Sequence, residues 1–511
     1  MSHYIEKILT APVYDVAIES PLDAMPRLSQ RLGHQIHCKR EDLQPVFSFK
    51  CRGAYNKMYH LSEQERNQGV ICSSAGNHAQ GVALAAQKLG IKATIVMPTT
   101  TPSIKVDAVK RLGKEWINIV LHGDFYDEAS QHAKILQQQH QLTYIHPFDD
   151  DYVIAGQGTI ALEILRQHPR PIDAIFVPVG GGGLLAGIAL LIKALRPNIR
   201  LIAVEPDDAA SMTQAVRHGS RITLDYVGVF ADGVAVKQPG EHTFNIIQKH
   251  VDDYITVSTD EICAAMKDLF DDNRAIAEPS GALATAGLKK WAAQQSEKNL
   301  NLISIVSGAN VNFDRLRYVA ERAEIGEKRE GLLAVSIPET PGSFLKFCQL
   351  IAQDQSITEF NYRYQDSKQA QILVGVQLNN GQRQLEHFID TLNTHGYPTT
   401  DLTHNDLAKS HLRYMIGGAP QNLSNEFLFR FGFPERPGAL LHFLKTLGNQ
   451  FNISLFHYRN HGADYGRVLC AIQSTNRALL DQHLHNIGYD YEEQTHNPAY
   501  QHFLQPPTPK T

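Results

Sequence analysis

A lysine set among apolar side chains is the residue of this chain best suited to covalent chemistry. It is Lys50, in the run Ser48-Phe49-Lys50-Cys51-Arg52-Gly53-Ala54. Burial at a helix start favours the neutral, nucleophilic amine that Schiff-base formation needs. Alone the signal is weak, because most lysines are solvated surface charges. A second cluster, Ser73-Ser74-Ala75-Gly76-Asn77-His78, lies between a short apolar run and an Ala-rich stretch. Small residues there leave backbone N–H groups exposed at a helix N-terminus, a ready site for an anion such as a substrate carboxylate. A helix cap needs one such residue, and Ala-Gly-Asn-His is more than a cap requires.

A third cluster is Gly180-Gly181-Gly182-Gly183-Leu184, directly after the apolar run Phe176 to Val179. Glycine costs roughly 1 kcal/mol per residue relative to alanine in a helix. Four in a row make sense where backbone must approach a ligand closely. Strand, glycines and helix in that order form a phosphate cradle, with the helix dipole adding attraction. The fourth cluster, Ser307-Gly308-Ala309-Asn310, follows the run Leu302 to Val306. Strand ends of an open α/β sheet are where ligands sit, and Ser307 can offer a hydrogen bond to a ring nitrogen. The glycine run also permits a rival from another class, an NAD(P)-dependent oxidoreductase. Gly181-x-Gly183-x-x-Ala186 fits a dinucleotide fingerprint, and Glu205 ends the next apolar run. That reading leaves Lys50 and Asn77 without a role.

The elements that must position these clusters are legible as alternation. Short continuous apolar runs (Val70 to Cys72, Ala93 to Met97, Ala174 to Val179, Leu201 to Val204, Leu302 to Val306) alternate with helical stretches. Such runs suit parallel strands covered on both faces, and the alternation predicts an open α/β sheet. At 511 residues the chain is long enough for two to four domains. Its net charge of −5 offers no basic field for nucleic acid. The apolar stretch Leu184 to Leu195 is too short to cross a bilayer. The N-terminus lacks a signal-peptide pattern, and the six cysteines form no CxxC pair, so a cytoplasmic protein with reduced thiols is expected. His34 and His37 fall on opposite sides of an alternating strand run, so no metal site is expected there.

Past about Glu330 the chain repeats itself. Pro338-Glu339-Thr340-Pro341-Gly342 matches Pro434-Glu435-Arg436-Pro437-Gly438, and Phe360-Asn361-Tyr362-Arg363 matches Phe456-His457-Tyr458-Arg459, both at an offset of 96 residues. A shared offset across two separated motifs predicts a tandem pair of small α+β domains. Each copy reads strand, turn, helix, strand and apolar strand (Ile372 to Val376; Val468 to Ile472).

In this order the motifs resemble the fold-type II pyridoxal-phosphate enzymes, with a tryptophan synthase β-like pair of open α/β subdomains. The resemblance is nearest to the biosynthetic threonine ammonia-lyase (threonine dehydratase) family. It is carried by Lys39-Arg40-Glu41-Asp42-Leu43-Gln44-Pro45, Ser48-Phe49-Lys50, Ser74 to Gly81, Gly180 to Leu184, Phe230-Ala231-Asp232-Gly233-Val234-Ala235 and Ser307-Gly308-Ala309-Asn310. It covers nearly the whole chain, because the repeats resemble paired ACT-like regulatory domains. Serine racemase and serine dehydratase share the catalytic motifs but lack that pair.

The resemblance implies a catalytic domain over 1–323 with a smaller mobile subdomain over roughly 50–150, a linker at 324–330, and ACT-like domains at 331–405 and 426–498. It implies pyridoxal 5′-phosphate bonded to Lys50, which also handles the substrate α-proton. Asn77 would bond the ring hydroxyl, Gly180, Gly181, Gly182, Gly183 and Leu184 the phosphate, and Ser307 the pyridine nitrogen. Ser73, Ser74, Ala75, Gly76, Asn77 and His78 would take the substrate carboxylate. The implied reaction converts L-threonine to 2-oxobutanoate and ammonia, the first step of isoleucine biosynthesis. Isoleucine would inhibit through the repeats, valine would activate, and the assembly would be a homotetramer. Two positions depart from the pattern. Cys51 stands where leucine is usual, a swap between apolar groups. Ser211 stands where serine racemase has an aspartate, which counts against a divalent-metal site near Glu205.

Overall fold

Continuous apolar runs become strands where the chain can cover both of their faces. The computed structural model describes residues 2–338, 347, 350, 357–362, 369–378, 381–412, 425–434, 439–447, 451–459 and 465–504. It divides into two compact units, Met1–Asn312 and Phe313–Thr511.

The first unit holds two sheets. The larger joins β1 (Leu22–Ala24), β2 (Gln35–Arg40), β7 (Ala174–Pro178), β8 (Arg200–Pro206), β9 (Asp253–Val257) and β10 (Asn301–Val306) in the order β1-β2-β10-β7-β8-β9. All its pairs are parallel except β1 with β2 at the edge. Every residue of β7 is buried, which explains the unbroken run Ala-Ile-Phe-Val-Pro. The smaller sheet is wholly parallel, in the order β5-β4-β3-β6: β3 is Val70–Ser73, β4 Ala93–Met97, β5 Ile117–Leu121 and β6 Thr143–Tyr144. The main core lies around the Asp151–Gln167 and Gly183–Leu195 helices, where Ile154, Ile160, Ile164, Leu185, Ile188 and Leu191 are buried together. Each such side chain stabilises the fold by about 1.5–3 kcal/mol.

The second unit carries the repeat as structure. Strands β11 (Glu330–Pro338), β12 (Ile357–Tyr362), β13 (Gln369–Gln377) and β14 (Thr399–Asp401) form an antiparallel sheet in the order β12-β13-β11-β14. Strands β15 (Glu426–Pro434), β16 (Asn452–Arg459), β17 (Tyr465–Gln473) and β18 (Tyr491–Glu493) form a second in the matching order β16-β17-β15-β18. Leu332, Ala334 and Leu373 of the first repeat share one buried cluster with Leu428, Leu469 and Ala471 of the second. The Pro-x-x-Pro-Gly turns lie outside the described residues.

Residues 324–330 are not the linker their charge suggests. Glu324 to Gly326 close the helix Arg315–Gly326, and Glu330 already opens β11. Tyr318, Val319 and Ala323 of that helix are buried, so the charged letters sit on an amphipathic helix end. The division between units falls earlier, at 312/313.

Candidate active site

Three of the four clusters follow directly on strands: Ser73 closes β3, the glycines follow β7 and Ser307 follows β10. In an open α/β sheet that edge collects ligands. Lys50 reaches it differently. It opens the helix Lys50–Tyr59, and the turn before it is tied to the strand end after β10. Phe49 N donates to the Ser307 carbonyl (3.2 Å), and Ala309 N donates to the Phe47 carbonyl (2.9 Å). Phe47 is held at φ +55°, in the left-handed region, to make this turn. Lys50 Nζ donates to the Pro147 carbonyl at 2.9 Å and lies 5.2 Å from the Phe49 ring centre. Burial lowers the amine to about 8, against a smaller upward pull from the Glu278 carboxylate. A solvated lysine at pH 7.5 is ~0.1% neutral, and one titrating near 8 is about a quarter neutral.

Two residues beyond Lys50, the helix is anchored by buried charge. Arg52 bonds Glu41 through Nε (2.8 Å) and Nη2 (2.8 Å), and Glu163 through Nη1 (2.6 Å). Lys39 Nζ reaches Glu163 at 2.6 Å and the Ser20 carbonyl at 2.5 Å. All four charged side chains are fully buried. Burial pushes Glu163 up, yet Arg52 and Lys39 outweigh it and hold the carboxyl below its usual range. Two cations and two anions cancel, which makes the burial tolerable. Lys39 and Glu41 of the sequence motif build this network, while Arg40 pairs with Asp42 and Asp23.

The Ser73–His78 loop runs into a helix start with backbone N–H groups open. Gly76 precedes the helix Asn77–Leu89 with no side-chain cap, and the N–H groups of Ala75, Asn77 and His78 meet no acceptor among the described residues. Ser74 Oγ accepts from Gly76 N at 3.2 Å. The His78 ring turns inward: Nε2 donates to the Ile145 carbonyl at 2.8 Å, and burial lowers the imidazole to about 3, so it stays neutral. Asn77 Nδ2 donates to Glu278 Oε1 (2.7 Å), and Asn77 Oδ1 accepts from Asn310 Nδ2 (2.6 Å).

The glycine run packs as closely as its composition demands. A Cβ on Gly181 would lie 2.2 Å from the Phe148 ring, and one on Gly180 2.9 Å from Val234 Cα. Gly182 has φ +96°, a conformation that favours glycine. Thr243 Oγ1 donates to the Gly181 carbonyl (2.6 Å), while Asp149 accepts from Thr243 N (3.1 Å). The Gly181 carbonyl is therefore occupied. The N–H groups of Gly180 through Leu184 meet no acceptor among the described residues, which suits a phosphate dianion. Ser307 Oγ donates to the Ser280 carbonyl at 3.1 Å, and its hydroxyl would have to turn to donate to a ring nitrogen. The hydroxyls of Ser73 and Ser280 are buried with no hydrogen-bond partner among the described residues. An amine bonded to a backbone carbonyl only, a cradle of open N–H groups and unpaired buried hydroxyls fit pyridoxal phosphate.

The dinucleotide alternative loses its acidic residue. Both Glu205 oxygens are taken, by Met212 N (2.9 Å) and Thr213 N (2.7 Å), and burial raises the carboxyl to about 7. Glu205 accepts from the first turn of the Ser211–His218 helix and is fully buried there, out of reach of a ribose. Sequence reasoning missed Glu278 and the segment His146-Pro147-Phe148. The Pro147 carbonyl acts through backbone, which leaves no composition signal. Glu278 sits before Pro279, a helix-start signal, but nothing local aims its carboxyl at Asn77.

The model for a pyridoxal-phosphate-dependent enzyme matches residues 13–308. The C-terminal regulatory domain of threonine dehydratase matches twice, at 321–412 and 417–504. The biosynthetic L-threonine dehydratase of Escherichia coli is 54% identical over 504 residues, spanning 98% of this chain and 97% of that one. The one of Burkholderia multivorans is 52% identical over 503 residues, spanning 98% and 99%. Among solved structures, the processed form of threonine deaminase isoform 2 from Solanum lycopersicum superimposes with TM-score 0.62 at 52% identity, covering 63% of this chain and 88% of that one. Maize serine racemase gives 0.58 at 35% identity, covering 62% and 96%.

Proposed function

The chain belongs to the biosynthetic threonine dehydratases, which are pyridoxal-phosphate-dependent lyases, and from that premise we propose which of its residues perform the reaction. Lys50 is the residue that bonds the cofactor and, once freed, takes the α-proton of L-threonine. The observation that carries this is its partly buried amine, titrating near 8 and aimed at a backbone carbonyl instead of a carboxylate. A neutral amine is both nucleophile and base.

The backbone N–H groups of Gly180, Gly181, Gly182, Gly183 and Leu184 hold the phosphate. Asn77 faces the ring hydroxyl and Ser307 the ring nitrogen. The loop Ser73, Ser74, Ala75, Gly76, Asn77 and His78 takes the substrate carboxylate through its N–H groups, with the helix dipole behind it. His78 and Ser73 support this loop from inside, since their side chains are buried. Bound there, pyridoxal phosphate supplies the electron sink beside the α-carbon. Loss of the α-proton and the β-hydroxyl, followed by hydrolysis, yields 2-oxobutanoate and ammonia. A serine opposite the ring nitrogen is a weak acid, which limits that sink and favours elimination over transamination.

The matched regulatory domains support an amino-acid-sensing role for 331–405 and 426–498. Isoleucine is the inhibitor of this reading and valine the rival, activating ligand. A homotetramer in the cytoplasm completes it; no described helix is long and apolar enough to cross a membrane. The test is 2-oxobutanoate release from L-threonine with and without L-isoleucine. Release that isoleucine suppresses is the expected result. Release indifferent to isoleucine removes the regulatory half. No release removes the catalytic one.

A further inference from the structure

Asn77 is an amide, and an amide can face either way. What settles its orientation is the chain of partners on both sides. Asn310 Nδ2 donates to the Val46 carbonyl (2.8 Å) and to Asn77 Oδ1 (2.6 Å). Asn77 Nδ2 donates to Glu278 Oε1 (2.7 Å), and Asn310 N donates to Glu278 Oε2 (3.0 Å). A carbonyl and an ionised carboxylate accept only. The two amides are therefore pinned between two acceptor ends: Asn310 gives its amide nitrogen to both Val46 and Asn77, which obliges Asn77 to present oxygen to Asn310 and nitrogen to Glu278. Asn77 is left with one further N–H. That is the group a ring oxygen carrying negative charge requires.

We propose that Glu278 is a positioning residue of the active site: its carboxylate fixes the Asn77 amide so that an N–H faces the cofactor's ring oxygen, and it supplies the counter-charge felt by Lys50. This rests on the cofactor site proposed above and adds a residue to it. The geometry leaves Glu278 little freedom. It is buried before the Pro279–Ala292 helix, and a Cβ on Gly308 would lie 2.6 Å from its Oε1. The charged groups acting on it are Asp232, which opposes ionisation, and Lys105, which favours it; Asn77 and Asn310 are its hydrogen-bond donors. Burial raises its carboxyl to about 7. A proton on Glu278 removes its charge and one of its acceptor lone pairs, so its hold on Asn77 and Asn310 weakens as pH falls through that value.

Glu278→Gln breaks the arrangement by count. Glutamine brings one acceptor and one donor group to a place with two donors, so either Asn77 or the Asn310 N–H loses its partner. Glu278→Asp keeps two acceptor oxygens. The experiment titrates the full-length, cofactor-stripped chain with pyridoxal phosphate, reading the visible absorption band and its dissociation constant between pH 6 and 8.5. Glu278→Gln is expected to weaken binding by about ten- to a hundredfold, as for a lost bond to a charged group. It is also expected to abolish the wild-type step in the band near pH 7. Glu278→Asp should recover most of the affinity and the step. Wild-type affinity, band and pH step in a folded Glu278→Gln protein overturn the proposal. Should Glu278→Gln fail to fold by circular dichroism, Asn310→Ala removes the other bond to Asn77, and an unchanged band there overturns it instead. Wild-type protein that neither binds the cofactor nor turns over L-threonine would count against the site itself, a separate failure.

Discussion

The two units treat charge in opposite ways. In Met1–Asn312, Arg52, Lys39, Glu41 and Glu163 are fully buried, and each lies 2.6–2.8 Å from an opposite charge. In Phe313–Thr511, Asp406 gathers Arg322, Arg430 and Arg467 at 2.5–3.0 Å with a third of its side chain exposed. The first arrangement balances and is dry, so it fixes one geometry. The second is partly wet, with Arg430 shared with Glu492 (2.6 Å), and it joins the Arg315–Gly326 helix to β15 and β17. Burial raises Asp406, but the three guanidiniums outweigh it and hold its carboxyl well below the usual range. A catalytic scaffold needs a single state; a regulatory one needs states of similar energy.

Breaking this contrast at its strongest point means removing the chemistry the dry scaffold serves. Lys50→Ala should lower threonine turnover by about 10⁴-fold or more, measured as 2-oxobutanoate release. Activity within tenfold of wild type would reassign the base. Arg52→Ala leaves two carboxylates with only Lys39 between them. It should cost about 3–5 kcal/mol, read from urea unfolding of the full chain. A loss below about 1 kcal/mol would show that the network is not the anchor its geometry implies.

Asp406→Asn sharpens the other side. Basal turnover should persist, while the isoleucine concentration for half-inhibition shifts by about 5- to 150-fold, the usual range of coupling energies. An unchanged response would make the cluster structural only. The sign with pH is set by the lowered carboxyl. Its folded value lies below the unfolded one, so its contribution is present above about pH 4 and is lost as pH falls through the folded value. Lys50 runs the other way in kind. Its neutral form is the reactive one, so the rate of cofactor attachment to stripped protein should rise about thirtyfold from pH 6.5 to 9 with a midpoint near 8. A rate still climbing steeply above pH 10 would mean the amine is not desolvated. Smallest is Thr243→Val, which removes one bond to the Gly181 carbonyl and should weaken cofactor binding about three- to tenfold.

Much of the site was legible because its parts are backbone devices with compositional signatures. Glycines at 180–183 and small residues at 73–76 announce exposed N–H groups wherever they follow a strand. The 96-residue repeat announced two sheets, and both have the same strand order. The linker failed for the reverse reason: the charges at 324–330 mark a helix end as well as a loop, and only buried Tyr318 and Val319 distinguish the two.

The sequence by itself determined the strand–helix alternation and the tandem domains, and it singled out Lys50 as the candidate amine, because each depends on local pattern or on a residue's own chemistry. Only the tertiary structure decided that Glu278, 201 residues from Asn77, sets that amide's direction. It also decided that Glu205 is spent on a helix and that the Pro147 carbonyl receives Lys50. Hydrogen-bond partnership across a fold depends on where distant backbone returns, and no periodicity along the chain records that.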